Sequence, residues 1–423
     1  MLRFAPSPTG DMHIRNLRVA LFNYICSIQR EEPLLIRIED TDQKCSIPDK
    51  EKEIFEILSL FGITYQEQQL QSNHLKFHRA MALQLLQDKK AFNCFCSPAT
   101  LDAKREAANE NKIPYRYDGI CETLSSDQVI DNPLPFTIRL KKPLQSITVN
   151  DIIHGYSTFA PDDIDSFIIM STDKYPTYNF ACAVDDMLAD VSLIIRDEEH
   201  LSNTPKQIAI HEALGYIKKI EYAHVPSIVG DDTISVKWLL EEGYLPEAIS
   251  NYLILLGNTT PVEIFSLKEA IKWFDLKTLS KEPTLFDIEK LKFINREHLK
   301  GLDPKELSRY VGFADEEIGN LAKLFLEEIS TLKELRAKIG AFFAPKNISD
   351  EYKEKVAVLR VLTQQAPHFD DYHSYKEYLI KKSGFSEQTL VKPLRLLLSG
   401  LDDGPEIADI YMYLKNYLKE VVK

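Results

Sequence analysis

The sequence lacks several features that mark whole classes of protein. Its 423 residues contain no uninterrupted apolar run of about 18 residues, the length that a membrane-spanning helix needs. The opening residues, MLRFAPSPTG, lack the basic and apolar regions of a secretory leader. Its six cysteines are spread along the chain and do not suggest a disulfide framework. We therefore expect a cytoplasmic protein that contacts no membrane.

The composition is that of a globular protein with more than one domain, since 423 residues exceed one ordinary domain and 27% of them are charged. The net charge of −13 disfavours a polyanionic partner at first sight. Most of the negative excess lies in residues 1–300, however, and net charge does not exclude a local basic stripe. Composition alone leaves nucleic-acid binding open.

Hydrophobic spacing predicts the order of the first elements. Apolar residues recur at helical spacing directly after an opening turn: Leu17, Ala20, Leu21 and Tyr24. The run Leu34–Ile36 predicts a buried strand that ends in charged residues, and residues 51–61 and 78–86 read as amphipathic helices. This strand–turn–helix order predicts a doubly wound parallel sheet, which binds ligands beyond the carboxyl ends of its strands.

The pattern changes twice further along. Between residues 91 and 175, alternating stretches such as PFTIRLKKP and SITVNDII predict β structure, and after Pro283 almost every pattern is helical. We therefore expect an α/β protein: a Rossmann-like parallel sheet with an α+β insertion, followed by an all-α C-terminal region.

The segment APSPTGDMHIRNLR, residues 5–18, reads as a Pro/Gly turn that leads into a helix. A helix N-terminus presents unpaired N–H groups and a positive dipole end, which suit phosphate. His13 could donate to phosphate oxygens there as negative charge shifts during a reaction. An ordinary Pro-rich turn capped by Asp11 is the other interpretation.

This segment is similar to the opening of the bacterial-type glutamyl-tRNA synthetases, where APSPTG precedes the His-Ile-Gly-His signature of class I aminoacyl-tRNA synthetases. Further segments match the family in order and spacing, so that the resemblance covers essentially the whole chain. They are LLIRIEDTD (34–42), RYDG (116–119), YPTYNFACAVDD (175–186), IIRDEEHLSNTPKQI (194–208), EEGYLPEAISNYLILLG (241–257), FDIEKLKFIN (286–295) and KPLRLLLSG (392–400).

The resemblance implies a domain plan. The Rossmann-like catalytic domain would comprise residues 1–90 and 176–225, interrupted by an acceptor-binding insertion at 91–175. Residues 226–300 would form a helical domain that contacts the tRNA stem, and 301–423 an α-helical anticodon-binding domain. Glutaminyl relatives carry β-barrels in that last region, and the shorter glutamyl-queuosine enzymes lack it.

The resemblance also implies an activity and its partners. Family members join L-glutamate to AMP from ATP, with Mg²⁺, and pass the activated glutamate to the 3′ end of a tRNA. We therefore expect a monomeric glutamate–tRNA ligase that charges tRNA-Glu, tRNA-Gln or both. Lys392 and Arg395 are the expected tRNA-backbone contacts, which would make binding salt-dependent, unless they only cap a packing helix. A catalytically weakened tRNA-binding paralogue is the alternative.

The motifs place the expected glutamate-binding residues. Arg3 would pair with the side-chain carboxylate, supported by Arg196, because a planar guanidinium can bind both carboxylate oxygens. Glu39 would take the α-ammonium group, and Ser7 and Tyr178 would complete the pocket through their hydroxyls.

Each of these residues also has a plain structural interpretation. Arg37 and Glu39 could form a simple ion pair on one strand face, and Tyr178 could be a core aromatic. Arg196 could belong to a solvated cluster with Glu198 and Glu199. For ATP the motifs imply Ala5, Pro6, Gly10, His13, Asn16 and Glu199, with His13 also catalytic.

Three cysteines match the spacing of a zinc site found in some family members. They are Cys94, Cys96 and Cys121. Thiolates bind zinc strongly, but a structural site needs four ligands. The usual fourth ligand, a histidine, is replaced by Thr123, and Tyr117 matches a tyrosine ligand of the glutamyl-queuosine enzymes. Zinc and three free thiols both remain open.

Two departures from the family touch the ATP site. Arg15 replaces the signature glycine, where a side chain would intrude on close approach of the adenine, while Asn16 replaces a histidine at a variable position. The lysine-containing loop expected between HVPSIVG and SVKWLLEEG is reduced to Asp-Asp-Thr-Ile. Either loop residues are missing from the sequence as written, which we favour, or the chain has lost a group that stabilises the reacting phosphate.

Overall fold

The computed structural model describes residues 1–42, 45–230 and 234–423. The chain divides into two compact units. The first comprises Met1–Val236 and Leu253–Phe286, and the second comprises Lys237–Tyr252 and Asp287–Lys423. Within the described ranges, no helix is long and apolar enough to cross a membrane.

The first unit is built on a large, mostly parallel sheet, as the sequence predicted. Seven strands of the described residues form it, in the spatial order β3 (Glu67–Leu70), β2 (Leu34–Ile38), β1 (Leu2–Phe4), β9 (Leu193–Asp197), β10 (Glu221–Val225), β6 (Ile147–Asp151) and β7 (Gly155–Phe159). Neighbouring strands run parallel except β6 and β7, which form an antiparallel hairpin.

Helices connect these strands. In the first unit they are α1 (Ile14–Gln29), α2 (Lys50–Leu60), α3 (Leu75–Gln87), α4 (Pro98–Glu110), α5 (Ser126–Ile130), α6 (Pro161–Ile164), α7 (Tyr178–Leu188), α8 (Thr204–Leu214) and α11 (Leu267–Trp273). Short 3₁₀ turns occupy Gln71–His74, Glu198–Asn203 and Leu276–Thr278. The first three helices confirm the helical patterns in the sequence, although α3 begins three residues before the predicted start. The mainly polar edge strand β3 has no apolar pattern that would have predicted it.

The β structure predicted between residues 91 and 175 divides between two sheets. An antiparallel sheet contains β4 (Ala91–Cys94), β5 (Thr137–Leu140) and β8 (Ile168–Met170). The β6–β7 hairpin instead joins the main sheet, where Asp151 pairs with Tyr222 of β10. Buried Ile147 and Val149 alternate with exposed residues along β6, which fits a strand covered on one face.

The second unit confirms the predicted helical C-terminal region. Its helices are α12 (Ile288–Gly301), α13 (Pro304–Tyr310), α14 (Glu316–Lys323), α15 (Leu332–Phe343), α16 (Asp350–Gln365), α17 (Tyr372–Ser383), α18 (Glu387–Ser399), α19 (Ile407–Leu414) and α20 (Leu418–Val421), with a 3₁₀ turn at Lys415–Tyr417. The chain passes between the units within α9 (Val236–Glu242) and α10 (Pro246–Leu255). In the first unit, Ile228–Val229 (β11) and Thr284–Leu285 (β12) form a short parallel pair.

Gly243 explains one tight contact inside the second unit. Its φ of +89° lies in the left-handed region, and a Cβ there would stand 2.6 Å from the backbone nitrogen of Lys333. Both conditions require glycine at this position. Beside it, the Thr331 and Glu334 side chains form a capping box that starts α15.

The strand order determines where a ligand can bind. The next two strands along the chain, β2 and β3, lie on one side of β1, and β9 and β10 lie on the other side. Chain connections therefore leave β1 and β9 in opposite directions, and a crevice opens beyond the carboxyl ends of these two strands.

Candidate active site

A cavity of about 260 Å³ opens beyond the carboxyl ends of β1, β2 and β9. It brings together all of the predicted glutamate-binding residues: Arg3, Ser7, Glu39, Tyr178 and Arg196. Of the residues predicted for ATP, it also contains Ala5, Pro6, Asn16 and Glu199. Gly10 and His13 are not among the residues that line it.

Three buried charged side chains, Arg3, Arg37 and Asp186, form ion pairs next to this cavity. Asp186 of α7 is completely buried and accepts from Arg3 Nε at 3.2 Å and from Arg37 Nη1 at 2.6 Å, both through Oδ1. Burial raises the pKa of Asp186, but the two guanidinium groups outweigh it and hold the pKa at about 2. The carboxylate therefore stays ionised and fixes both arginines.

The same group of side chains fixes Glu39. Arg37 Nη2 donates to Glu39 Oε1 at 3.2 Å, so the structural ion pair considered for these two residues exists. The Cys182 thiol donates to the same oxygen at 3.0 Å. Because Glu39 also lines the cavity, the ion pair and the predicted role at the ammonium group are compatible.

Arg196 is buried, which corrects the interpretation of it as part of a solvated cluster. It is 5% exposed and donates to His224 Nε2 at 3.1 Å, Thr204 Oγ1 at 2.7 Å and Gln207 Oε1 at 2.9 Å. The Glu199 side chain is 69% exposed, so Arg196 and Glu199 do not form one solvated cluster.

Tyr178 is not a core aromatic on a strand edge, the structural alternative considered for it. It is the first residue of α7 and is 39% exposed. Its hydroxyl lies 3.4 Å from His200 Nδ1, and the two rings are 5.5 Å apart. The phenol therefore stands at the cavity wall, where it can contact a ligand.

His13, rather than Asp11, caps α1. Its Nδ1 accepts from the backbone N–H of Arg15 at 3.3 Å, while Asp11 forms an ion pair with Lys50. In a neutral imidazole the proton therefore resides on Nε2. His13 also forms an antiparallel bridge with Ser235, so the segment after the shortened loop pairs directly with the signature segment.

Arg15 lies in the first turn of α1 and is half-buried. Burial and the neighbouring carboxylate of Glu199 raise the pKa of Asp197 to about 6, and the charge of Arg15 opposes that rise. Asp197 and Glu199 both line the cavity, so the charge of Arg15 acts on an acidic side chain of the cavity wall.

The cysteines predicted to bind a metal form a compact group. The sulfur atoms of Cys94, Cys96 and Cys121 lie within 4.8 Å of one another. Tyr117 Oη is 3.5 Å from Cys94 Sγ and 3.6 Å from Cys96 Sγ, and the Arg139 guanidinium covers its ring at 4.1 Å. Burial raises the pKa of Cys94, but hydrogen bonds from Tyr117 and Arg139 outweigh it and lower the pKa to about 7.

The predicted tRNA contacts lie on α18 and hold a loop of their own unit. Lys392 pairs with the Asp402 carboxylate at 2.8 Å, and Arg395 Nη1 donates to the Pro405 carbonyl at 2.9 Å. Both side chains thus have the structural role considered as the alternative. A contact with tRNA stays a prediction for both.

Sequence reasoning missed Asp186, His224 and Asp151. Asp186 lies in AVDDML, where two acidic residues interrupt an apolar run, and that interruption is a usable signal. His224 and Asp151 lie at the ends of β10 and β6, and only the strand pairing brings them to Arg196.

Comparison with known proteins identifies the class of this fold and site. Residues 1–293 match the family model for the catalytic domain of class I tRNA synthetases (E and Q), and the chain belongs to that family. It is 61% identical to glutamate–tRNA ligase 2 of Sulfurimonas denitrificans and 51% identical to glutamate–tRNA ligase 1 of a Nitratiruptor species, in each case over 100% of both chains. A glutamate tRNA ligase from Elizabethkingia meningosepticum, solved in complex with its amino acid, superposes with a TM-score of 0.83 at 26% identity, covering 99% of this chain and 97% of that one.

The comparisons also bear on the shortened loop. The alignment with the Sulfurimonas ligase spans 432 positions, whereas this chain has 423 residues, so some positions have no counterpart here. Residues 231–233 lie outside the described residues. Neither interpretation of the shortened loop, omitted residues or a true loss from the chain, is therefore tested by the structure, and both stay predictions.

We predict that Asp186→Asn destabilises the first unit by about 3–5 kcal/mol, because it removes the buried negative charge that the Arg3 and Arg37 guanidinium groups share. The measurement is the free energy of unfolding in urea, followed by circular dichroism.

Asp190→Asn is the matched control. Asp190 is 55% exposed in its ion pair with Lys218, and its left-handed backbone suits asparagine equally, so we expect a loss below about 1 kcal/mol. Equal losses for the two variants would show that the buried carboxylate does not stabilise this site.

Proposed function

We propose that this chain joins L-glutamate to tRNA in two steps through a glutamyl-adenylate, using ATP and Mg²⁺. The observation that carries the proposal is the charge pattern of one cavity, in which Arg3 and Arg196 face Glu39. Two guanidinium groups suit the side-chain carboxylate of an acidic amino acid, and a carboxylate suits its α-ammonium group.

In the first step, an oxygen of the glutamate α-carboxylate attacks the α-phosphorus of ATP, and pyrophosphate leaves. Arg3, Arg196 and Glu39 hold the amino acid, while Ser7 and Tyr178 contact it through their hydroxyls. His13 donates its Nε2 proton to phosphate oxygens beside the N-terminus of α1. In the second step, a terminal tRNA hydroxyl attacks the activated carbonyl and AMP leaves.

We also propose the finer features that the resemblance implies. The protein acts as a monomer in the cytoplasm, with the domain boundaries predicted from the sequence. Residues 301–423 bind the anticodon region, with Lys392 and Arg395 near the tRNA backbone. The accepted tRNA is tRNA-Glu, tRNA-Gln or both.

A second candidate function is a tRNA-binding paralogue with weakened catalysis. The full sequence favours it in one respect, since Asp-Asp-Thr-Ile contains no lysine to stabilise the reacting phosphate. Arg15, in place of the signature glycine, also favours the paralogue.

Glutamate-dependent ATP/pyrophosphate exchange with tRNA present separates the two functions. The ligase gives exchange and charges purified tRNA-Glu or tRNA-Gln, tested side by side. Bound tRNA without exchange would overturn the ligase proposal in favour of the paralogue.

We predict that Arg15→Gly tightens binding of a non-hydrolysable ATP analogue about tenfold, because it removes a side chain from a position of close approach. Calorimetry measures this affinity without any need for catalysis. Arg15→Ala is the control, since it removes the guanidinium group but keeps Cβ. Equal affinities for glycine, alanine and arginine at position 15 would show that this residue does not limit nucleotide binding.

We further propose that Cys94, Cys96, Cys121 and Tyr117 hold a structural zinc ion. Three thiolates and one phenolate match the four-coordinate preference of zinc. Cys96 Sγ and Cys121 Sγ lie 3.7 Å apart, close to the separation of about 3.8 Å that two 2.3 Å Zn–S bonds give in a tetrahedron.

We predict about one zinc ion per chain in the purified protein and less than half of that in Cys121→Ser, because a structural site rarely survives with three ligands. Plasma mass spectrometry measures the metal, and a chelator should lower the thermal midpoint of the parent protein but not that of Cys121→Ser. Cys45→Ser, at an exposed cysteine, is the control. A parent protein without zinc, whose three cysteines react freely with a thiol reagent, would contradict the site.

A further inference from the structure

The guanidinium group of Arg196 is held on one side by groups outside the cavity. Its Nε donates to His224 Nε2 at 3.1 Å, and its two terminal nitrogens donate to Thr204 and Gln207. A guanidinium group has five N–H donors, and these hydrogen bonds use three of them. Two donors therefore remain for a ligand in the cavity that Arg196 lines.

The contact with Arg196 determines the protonation state of His224. An arginine side chain stays protonated in proteins, so its Nε–H must donate and His224 Nε2 must accept. Thr204 Oγ1 lies 3.0 Å from His224 Nε2, and this contact is also compatible with Nε2 as an acceptor. The imidazole is therefore neutral, with its proton on Nδ1.

Asp151 accepts the hydrogen bond from the Nδ1–H group of His224. His224 Nδ1 donates to Asp151 Oδ2 at 2.7 Å, and both side chains are buried. Backbone N–H groups of Ile153 and His154 donate to the other oxygen of Asp151, each at 2.9 Å. The carboxylate is thus fixed by the β6–β7 turn, and it selects one tautomer of His224.

Strand pairing brings together Asp151, His224 and Arg196, the hydrogen-bonded series that we call the relay. His224 lies directly opposite Arg196 in the register of β10 and β9, and Asp151 ends β6 on the far side of β10. Neither Asp151 nor His224 lines the cavity. The direct hydrogen bond between this pair and a residue that lines the cavity is the contact of His224 with Arg196.

We propose that Asp151 and His224 are positioning residues that turn the free donors of Arg196 toward the side-chain carboxylate of glutamate and so set the preference for glutamate over glutamine. The proposal rests on glutamate as the ligand of the cavity. It adds two residues to the specificity of the site without giving either of them a contact with substrate.

Acidic pH should weaken the hydrogen bond between Arg196 Nε and His224 Nε2. A proton on His224 Nε2 would face the Nε–H of Arg196, and two donors cannot share a hydrogen bond. Burial lowers the pKa of His224 below its ordinary value, as does Arg196, whereas Asp151 opposes the shift, so the neutral form holds at pH 7. The titratable or charged groups that face His224 are Asp151, Arg196, His154, His200 and Tyr222.

We predict that Asp151→Asn weakens glutamate binding about tenfold or more, because an amide donor facing Nδ1 forces the proton onto Nε2, against Arg196. The glutamate-over-glutamine preference should fall with it, while affinity for the ATP analogue stays unchanged. His224→Gln places an amide oxygen near the position of Nε2 and cannot titrate. It should bind glutamate nearly as the parent does and should lose the parent's weakening at acid pH.

Calorimetric titration with L-glutamate and L-glutamine from pH 5 to 8 measures these effects without turnover. His211→Gln is the control, since His211 is a buried histidine whose Nε2 donates to the Ala183 carbonyl at 2.8 Å and which does not line the cavity. Parent-like glutamate affinity in Asp151→Asn, or an unchanged acid profile in His224→Gln, would overturn the relay while leaving the ligase proposal intact. A parent protein that binds no glutamate would overturn both.

Discussion

The buried contact of Asp186 with Arg3 and Arg37 is the interaction on which the rest of the site depends. One carboxylate oxygen holds two guanidinium groups, and Arg37 in turn holds Glu39. Removing a charge from water costs several kcal/mol, so such a group persists only where every member is paired. The result is a cavity in which positive and negative groups are fixed before a ligand arrives.

The order of the strands places these charges together. Arg3 and Arg196 lie in β1 and β9, and Glu39 directly follows β2; the carboxyl ends of these strands meet because the strands are parallel. The β6–β7 hairpin extends the same sheet and brings Asp151 behind Arg196 through His224. Residues between β4 and β8 in the chain thus supply strands of this sheet as well.

The sequence predicted the parallel sheet, the helical second unit and nine of the residues that line the cavity, because hydrophobic spacing and linear motifs are local features of the chain. Gly10 and His13, which it predicted for ATP, do not line the cavity. It did not predict the partners of those residues. Asp186 and His224 act through contacts with residues far away in the chain, and such contacts depend on strand register rather than on local pattern.

The most direct test of this account is a crystal structure of the protein with L-glutamate bound. The account predicts that the side-chain carboxylate of glutamate lies within hydrogen-bond distance of Arg3 and Arg196, with its ammonium group at Glu39. Glutamate bound in the reverse orientation, with its ammonium group away from Glu39, would contradict the central claim that these fixed charges select the substrate.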